Sequence, residues 1–341
     1  MKSHILLKDE VKDVLEQRGR QGFLQADFHT KKGFSKSRVS EILTEMSGLG
    51  QIVVRKEAGR SNRVWLPEYF PGKVTGTLRV GMLPSVEYLY HLAAIRDYCI
   101  NNRKNLLVKL YQKSADILEN LISGTLDLAF SPLVSFLIHP DNSDLRIVSE
   151  VASGGSSIFE NPTCSNNRIM SSEFSSMAIL TKSFQRISGQ LEVLASGSPA
   201  SSISSFLNGD IRYIAIWEPF AMLLRNSSMA KEVFKFSDAM DSLPCCCLGT
   251  TSVRLKESSS EIREILGIIK KYVEKRKEEA SIHENIKYFS SLLGVEENIV
   301  AKSLTEYAFR AGINESVISE LLEKLGISVS GVTIEKMISF H

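Results

Sequence analysis

Cys245-Cys246-Cys247, directly after Pro244, is the densest group of reactive side chains in this 341-residue sequence. If the triplet lies in an extended strand, Cys245 and Cys247 share a face and present two thiolates, a pair suited to iron, copper or zinc. The same triplet also reads as three small side chains filling a core strand. A second group gathers where strands are expected to end: Pro84 and Ser85, Ser131 and Pro132, Ser153 and Gly154, Ser171 and Ser172, then Trp217 and Glu218. Hydroxyls and backbone N–H groups of this kind suit an oxyanion or a polar heterocycle, although each serine alone also fits a turn or a helix cap. A third group is basic and lies near the start of the chain: Lys36, Ser37, Arg38 and Ser40, with Arg60 and Arg63 further on. No nucleophile and base stand at a recognisable spacing, and there is no phosphate loop and no paired metal-ligand motif. Catalysis, a cofactor and a resident metal are therefore not expected.

The elements that position these groups follow from periodicity. Leu7, Val11, Val14 and Leu15 recur at helical spacing up to Gly19 and Gly22. A second short helix fits Phe23 to Lys32. Ser35 is placed to cap a third, whose apolar stripe is Val39, Ile42, Leu43, Met46 and Leu49. The β-rich runs 51–55 and 63–66 then form a hairpin around the Gly59-Arg60 tip. Two prolines and two glycines in residues 67–77 make a short connector. Beyond it, strand and helix alternate: strands at 78–83, 106–111 and 126–132, and helices after the first two. That rhythm predicts a parallel α/β sheet with its ligand at the carboxyl ends of the strands.

Composition fits two or three globular units with a real core, since 43% of residues are hydrophobic. Residues 1–70 hold 13 Lys and Arg against 9 Asp and Glu, a net of +4, so the remainder of the 41 and 39 carries −2. Five cysteines, three of them consecutive, are not a secreted disulfide framework. The first ten residues do not resemble a signal peptide, and no segment reaches the roughly 18 apolar residues of a membrane span. The expected location is cytoplasmic.

Three helices followed by a hairpin resemble the winged helix-turn-helix of MarR-like regulators. By that resemblance residues 1–68 bind double-stranded DNA, with Ser37, Arg38 and Ser40 at base edges and Lys36, Arg60 and Arg63 on phosphates. The strand and loop Arg79 to Ser85, the helix and Gly-x-Leu-Asp stretch of 117–129, and Trp217-Glu218-Pro219 are similar to the type 2 periplasmic-binding fold, in its nitrate, sulfonate and thiamine-pyrimidine branch. The resemblance implies a linker at 69–77 and a two-lobed ligand-sensing domain at 78–341. By the same likeness lobe I would cover about 78–158 and 245–341, lobe II about 159–244 with strands at 168–170, 191–195 and 211–217, and helices at 260–279, 282–293, 296–310 and 314–325 would finish the chain. The fold class expected is therefore α/β, a winged helix joined to a two-lobed domain with a helical C-terminus.

The function expected is a one-component transcription regulator, a homodimer that senses a small polar or anionic effector in the interlobe cleft. The alternative is an enzyme related to fungal thiamine-pyrimidine synthase, which has a cysteine cluster at a similar place. The lysine and histidine of that synthase fall here on Ser131 and Ser135, which supply neither a Schiff base nor an acid-base imidazole.

Overall fold

The computed structural model describes residues 2–57, 61–172, 175–235, 237, 244–275, 279–325 and 331–338. At the start of the chain, helices Lys2–Arg18, Gln25–Thr30 and Lys36–Gly48 pack on a three-stranded antiparallel sheet, in the order β1 (Phe23–Leu24), β3 (Asn62–Trp65), β2 (Val53–Lys56). Val11, Leu15, Phe28, Ile42, Met46 and Val64 are fully buried there, which is the core that the helical spacing predicts. Two expectations fail locally. Leu49 lies past the helix and is 60% exposed. Ser35 stands at the N-cap but gives no cap hydrogen bond; its hydroxyl meets that of Ser37 instead, at 2.9 Å.

The connector is held far more firmly than its composition suggests. Arg79, 1% exposed, reaches out of β4 (Thr77–Met82) and donates to the carbonyls of Phe70 (2.6 Å), Gly72 (2.7 Å), Gly124 (2.8 Å) and Pro67 (3.3 Å). Its Nε and Nη2 also pair with both oxygens of buried Asp127, each at 3.1 Å. Gly124, at φ +74°, allows the Gly72 backbone to come close enough for a 3.0 Å hydrogen bond; a Cβ there would sit 3.4 Å from the Gly72 nitrogen.

The first large sheet has six strands, in the order β14-β7-β13-β6-β4-β5. β4, β5 (Asn105–Leu110) and β6 (Leu128–Pro132) are parallel, with helices Leu89–Asn101 and Ser114–Ile122 between them. Every residue of β4 and β6 is buried, as central strands covered on both faces must be. The other half of the sheet departs from the expected parallel arrangement: β7 (Leu145–Gly154), β13 (Cys246–Thr251) and β14 (Tyr307–Phe309) pair antiparallel. β14 also corrects the helix expected over 296–310, which ends at Ser303 before a 3-10 turn. Helix Ser259–Glu274 covers one face of the sheet and packs on helix Leu89–Asn101.

The second sheet has the order β10-β9-β11-β8-β12. β9 (Arg168–Ser171), β10 (Glu192–Ala195) and β11 (Tyr213–Trp217) run parallel, while β8 (Ser156–Glu160) and β12 (Lys231–Lys235) run antiparallel to their neighbours. Its residues alternate between two cores, with Ile158, Ile169 and Tyr213 on one face and Phe159, Ile214 and Ile216 on the other. The chain passes between the sheets at Gly154-Gly155, both at positive φ, where the Tyr307 ring would lie 1.9 Å from a Cβ on Gly155.

Candidate functional site

Parallel strands in both sheets end at a common crevice, and their loops line a cavity of about 290 Å³. From the first sheet come Leu83 and Ser85 after β4, Gln112 and Lys113 after β5, and Pro132 closing β6. Helix Ser114–Ile122 presents its first turn, Ser114 to Asp116. From the second come Ser172 after β9, Ser196 after β10, Trp217 closing β11 and Ser156 opening β8. Ser175 caps helix Ser176–Ser188 at the wall, where its hydroxyl meets that of Ser172 at 2.6 Å. Hydroxyls from both sheets, the amide of Gln112, the ammonium of Lys113, the carboxyl side chains of Glu87 and Asp116 and the thiols of Cys245 and Cys246 thus share the crevice with the Trp217 indole and apolar side chains. No histidine is among these lining residues.

The two sheets are latched at the rim. Trp217 Nε1 donates to the Pro84 carbonyl at 2.8 Å, and the Glu218 carbonyl accepts from Ser85 Oγ (3.3 Å) and Val86 N (3.4 Å). The Glu218 side chain, fully buried, forms an ion pair with Arg225 and accepts from Ser303 Oγ at 2.9 Å and Met222 N at 3.0 Å. Burial raises its carboxyl, and Arg225 opposes that rise. Arg225 also reaches Glu232 at 2.7 Å, so this ion pair belongs to a network beside the crevice.

Of the residues expected to touch ligand, Ser85, Pro132, Ser172 and Trp217 line the cavity, and Pro84 contributes the latch carbonyl. Ser131 is buried with no partner for its hydroxyl, and Ser171 accepts from Thr181 at 3.1 Å. Ser153 is buried within β7, and Gly154 abuts the Glu306 carbonyl. Glu218 is spent on the latch. The cysteine expectation changes partners. Within β13 the faces alternate, so Cys246 lies on the cavity side while Cys247 is buried among Phe136, Ile147 and Leu133 in a separate core; Cys245, which precedes the strand, does not continue that alternation and lines the cavity with Cys246. Sequence reasoning missed Glu87, Gln112 and Lys113; a glutamate within the apolar run from Val86 to Ile95 was the signal for the first. Lys36, Ser37, Arg38 and Ser40 are exposed, Arg63 pairs with Glu57 at 2.9 Å, and Arg60 lies outside the described residues.

The sequence matches no protein-family model and no curated protein. Solved structures do match. The chain has a two-lobed, periplasmic-binding-protein-like fold. A ligand-binding component of an ABC-type import system from Staphylococcus aureus, with zinc bound, aligns at TM-score 0.65 and 14% identity over 78% of this chain and 97% of that one. The alkanesulfonate-binding protein of Xanthomonas axonopodis, bound to MOPS, aligns at 0.64 and 17% over 77% and 98%. The periplasmic nitrate-binding protein of Synechocystis aligns at 0.63 and 11% over 78% and 86%.

These neighbours correct four expectations. They are solute-binding proteins, and none is described as a transcription regulator, so the regulator assignment is withdrawn and double-stranded DNA with it as a partner. A DNA-reading homodimer goes with them. The cytoplasmic location is withdrawn as well, because the neighbours include periplasmic proteins. Among the described residues no helix is long and apolar enough to cross a membrane.

Proposed function

We propose that this chain is a solute-binding protein that holds one small molecule between its lobes and does not transform it. The observation that carries this reading is the cavity itself, a crevice walled by strand-end loops of two separate sheets. A volume of about 290 Å³ lies at the small end of ligand pockets, so the solute is small. The hydroxyls, Gln112 and Lys113, together with the carboxyl side chains of Glu87 and Asp116 and the indole of Trp217, favour a polar head with a short apolar part. By analogy with the import-system neighbours, the partner is a membrane transporter and the working location is extracytoplasmic.

We read lobe I as the six-stranded sheet with the C-terminal helices, and lobe II as the five-stranded sheet. The N-terminal unit is read as a winged-helix arrangement, three helices and a β-hairpin, fixed to lobe I through Arg79.

The test is a thermal-shift panel on the whole chain, including nitrate and short alkanesulfonates, with Trp217 fluorescence as a second readout. A ligand of the closed cleft raises the melting temperature and perturbs the indole, and Ser172→Ala with Lys113→Met removes both effects. Solutes that raise the melting temperature equally in that double variant would refute this location for the site.

A further inference from the structure

Glu87 is an unusual wall for a solute cavity. It sits on the 3-10 turn Val86–Tyr88, whose backbone Ser85 fixes by accepting from the Glu87 N–H at 3.2 Å. The side chain is 3% exposed, and its Oε1 has no hydrogen-bond partner. An acceptor left unsatisfied in a buried wall costs about 1–3 kcal/mol, so such an atom calls for a ligand. Facing it are the thiols of Cys245 and Cys246, and one donor atom from each of the three residues lies within 4.8 Å of the others. All three line the cavity.

From this geometry we infer that the cleft binds a thiophilic metal ion of the zinc class through Glu87, Cys245 and Cys246, with its fourth position open to the cavity. The inference deepens the solute-binding reading and rests on it for treating the crevice as a ligand site.

The distances match the chemistry. Two thiolates at about 2.3 Å from a tetrahedral zinc stand roughly 3.8 Å apart; here the two sulfurs are 4.0 Å apart. A carboxylate oxygen ligates at about 2.0–2.2 Å, within reach from the turn that carries Glu87. The donor set also selects the ion, since two sulfurs and one oxygen favour zinc, cadmium or copper(I) and disfavour magnesium and calcium. Tyr88 Oη donates to Cys246 Sγ at 3.3 Å, an outer contact of the kind that orients a metal ligand. Three protein ligands leave one position for water or for a donor atom of a small chelator. The cargo is therefore either the bare ion or a metal complex.

The experiment uses the whole chain, purified under reductant and stripped with a chelator. Calorimetric titration with zinc should show one ion per chain, and cobalt(II) should develop the near-ultraviolet charge-transfer band of thiolate ligation. The double variant Cys245→Ser/Cys246→Ser should lose that band and bind zinc at least 100-fold more weakly. Glu87→Gln should weaken binding at least tenfold while keeping the band. Cys164→Ser, in the other lobe, should change nothing. A second arm adds histidine or citrate with the zinc: tighter binding together identifies a complex as cargo, and binding weakened by the amount of zinc the chelator itself withholds identifies the bare ion. Absence of a cobalt–thiolate band in the unmodified chain, or zinc affinity that survives the double variant, overturns the inference. If the metal fails while an organic solute still shifts the melting temperature through Ser172 and Lys113, only the metal assignment falls. If both fail, the solute-binding reading falls too.

Discussion

Replacing Arg79 with methionine should loosen the seam between the N-terminal unit and the first lobe. Methionine keeps much of the buried stem volume and removes the guanidinium. Asp127 is not orphaned by the change: it retains the backbone N–H of residue 79 at 2.9 Å and the Arg254 guanidinium at 3.3 Å. The loss falls on the carbonyls of Phe70 and Gly72, which give up charged donors at 2.6 and 2.7 Å, and on those of Pro67 and Gly124. Hydrogen bonds to charged groups contribute about 1.5–3 kcal/mol each, so two short ones set a cost of about 3–5 kcal/mol. For a body of roughly 200 residues, at about 2–4 °C per kcal/mol, this is a fall in melting temperature on the order of 10 °C. Scanning calorimetry measures the fall, and limited proteolysis locates it, with new cleavage expected between Pro67 and Lys73. Arg79→Lys should recover only part, because an ammonium cannot span carbonyls on two sides. A melting temperature within about 2 °C of the parent, with the same cleavage pattern, would refute the claim that Arg79 holds this seam.

Trp217→Phe removes the N–H that reaches Pro84 while keeping an aromatic wall. One lost hydrogen bond of about 1 kcal/mol destabilises the closed form and should weaken a cleft ligand roughly fivefold, measured by calorimetry; unchanged affinity would mean the latch is idle. His91 should make stability pH-dependent. Burial pushes its imidazole down to about 4 from an ordinary 6.5. Between those values the unfolded chain holds a proton that the folded one refuses, so stability rises with pH across that window and is lost as pH falls through it, by roughly 3 kcal/mol in total. Urea midpoints at pH 4.5 and 7.5 should therefore converge in His91→Asn, and an unchanged difference would assign the pH dependence to other groups.

The strands that carry the first lobe were legible because they are buried on both faces: Leu78 to Met82 and Leu126 to Phe130 are runs bounded by turn residues and apolar but for Arg79 and Asp127, which pair with each other, and the helices between them show their period. The antiparallel half of that sheet was not. β14 is three residues, Tyr307-Ala308-Phe309, between a helix and a loop, and its pairing with Gly154, Ser153 and Ala152 is set by partners more than 150 residues away. No local propensity encodes such a pairing. The second lobe's parallel strands were placed by the family resemblance rather than by their own pattern, since β10 is largely exposed, while β8 and β12 escaped because their partners are distant.

The cavity shows the same division between local and distant information. Ser85, Pro132, Ser172 and Trp217 could be found because each ends a recognisable strand, and strand ends converge in a fold of this class. The cysteine pair could not be assigned correctly, because strict alternation couples Cys245 with Cys247. Alternation holds only inside a regular ladder. Cys246 and Cys247 lie within β13 and alternate, which carries Cys247 into the Phe136 core, but Cys245 lies before the strand and does not follow the alternation, so it joins Cys246 on the cavity wall. Glu87 is the complementary case. A buried carboxyl in an apolar segment is a departure from local consistency, and such departures concentrate where a fold serves a ligand. Its position in the sequence announced that something was required of it, and only the fold shows that two thiols stand opposite.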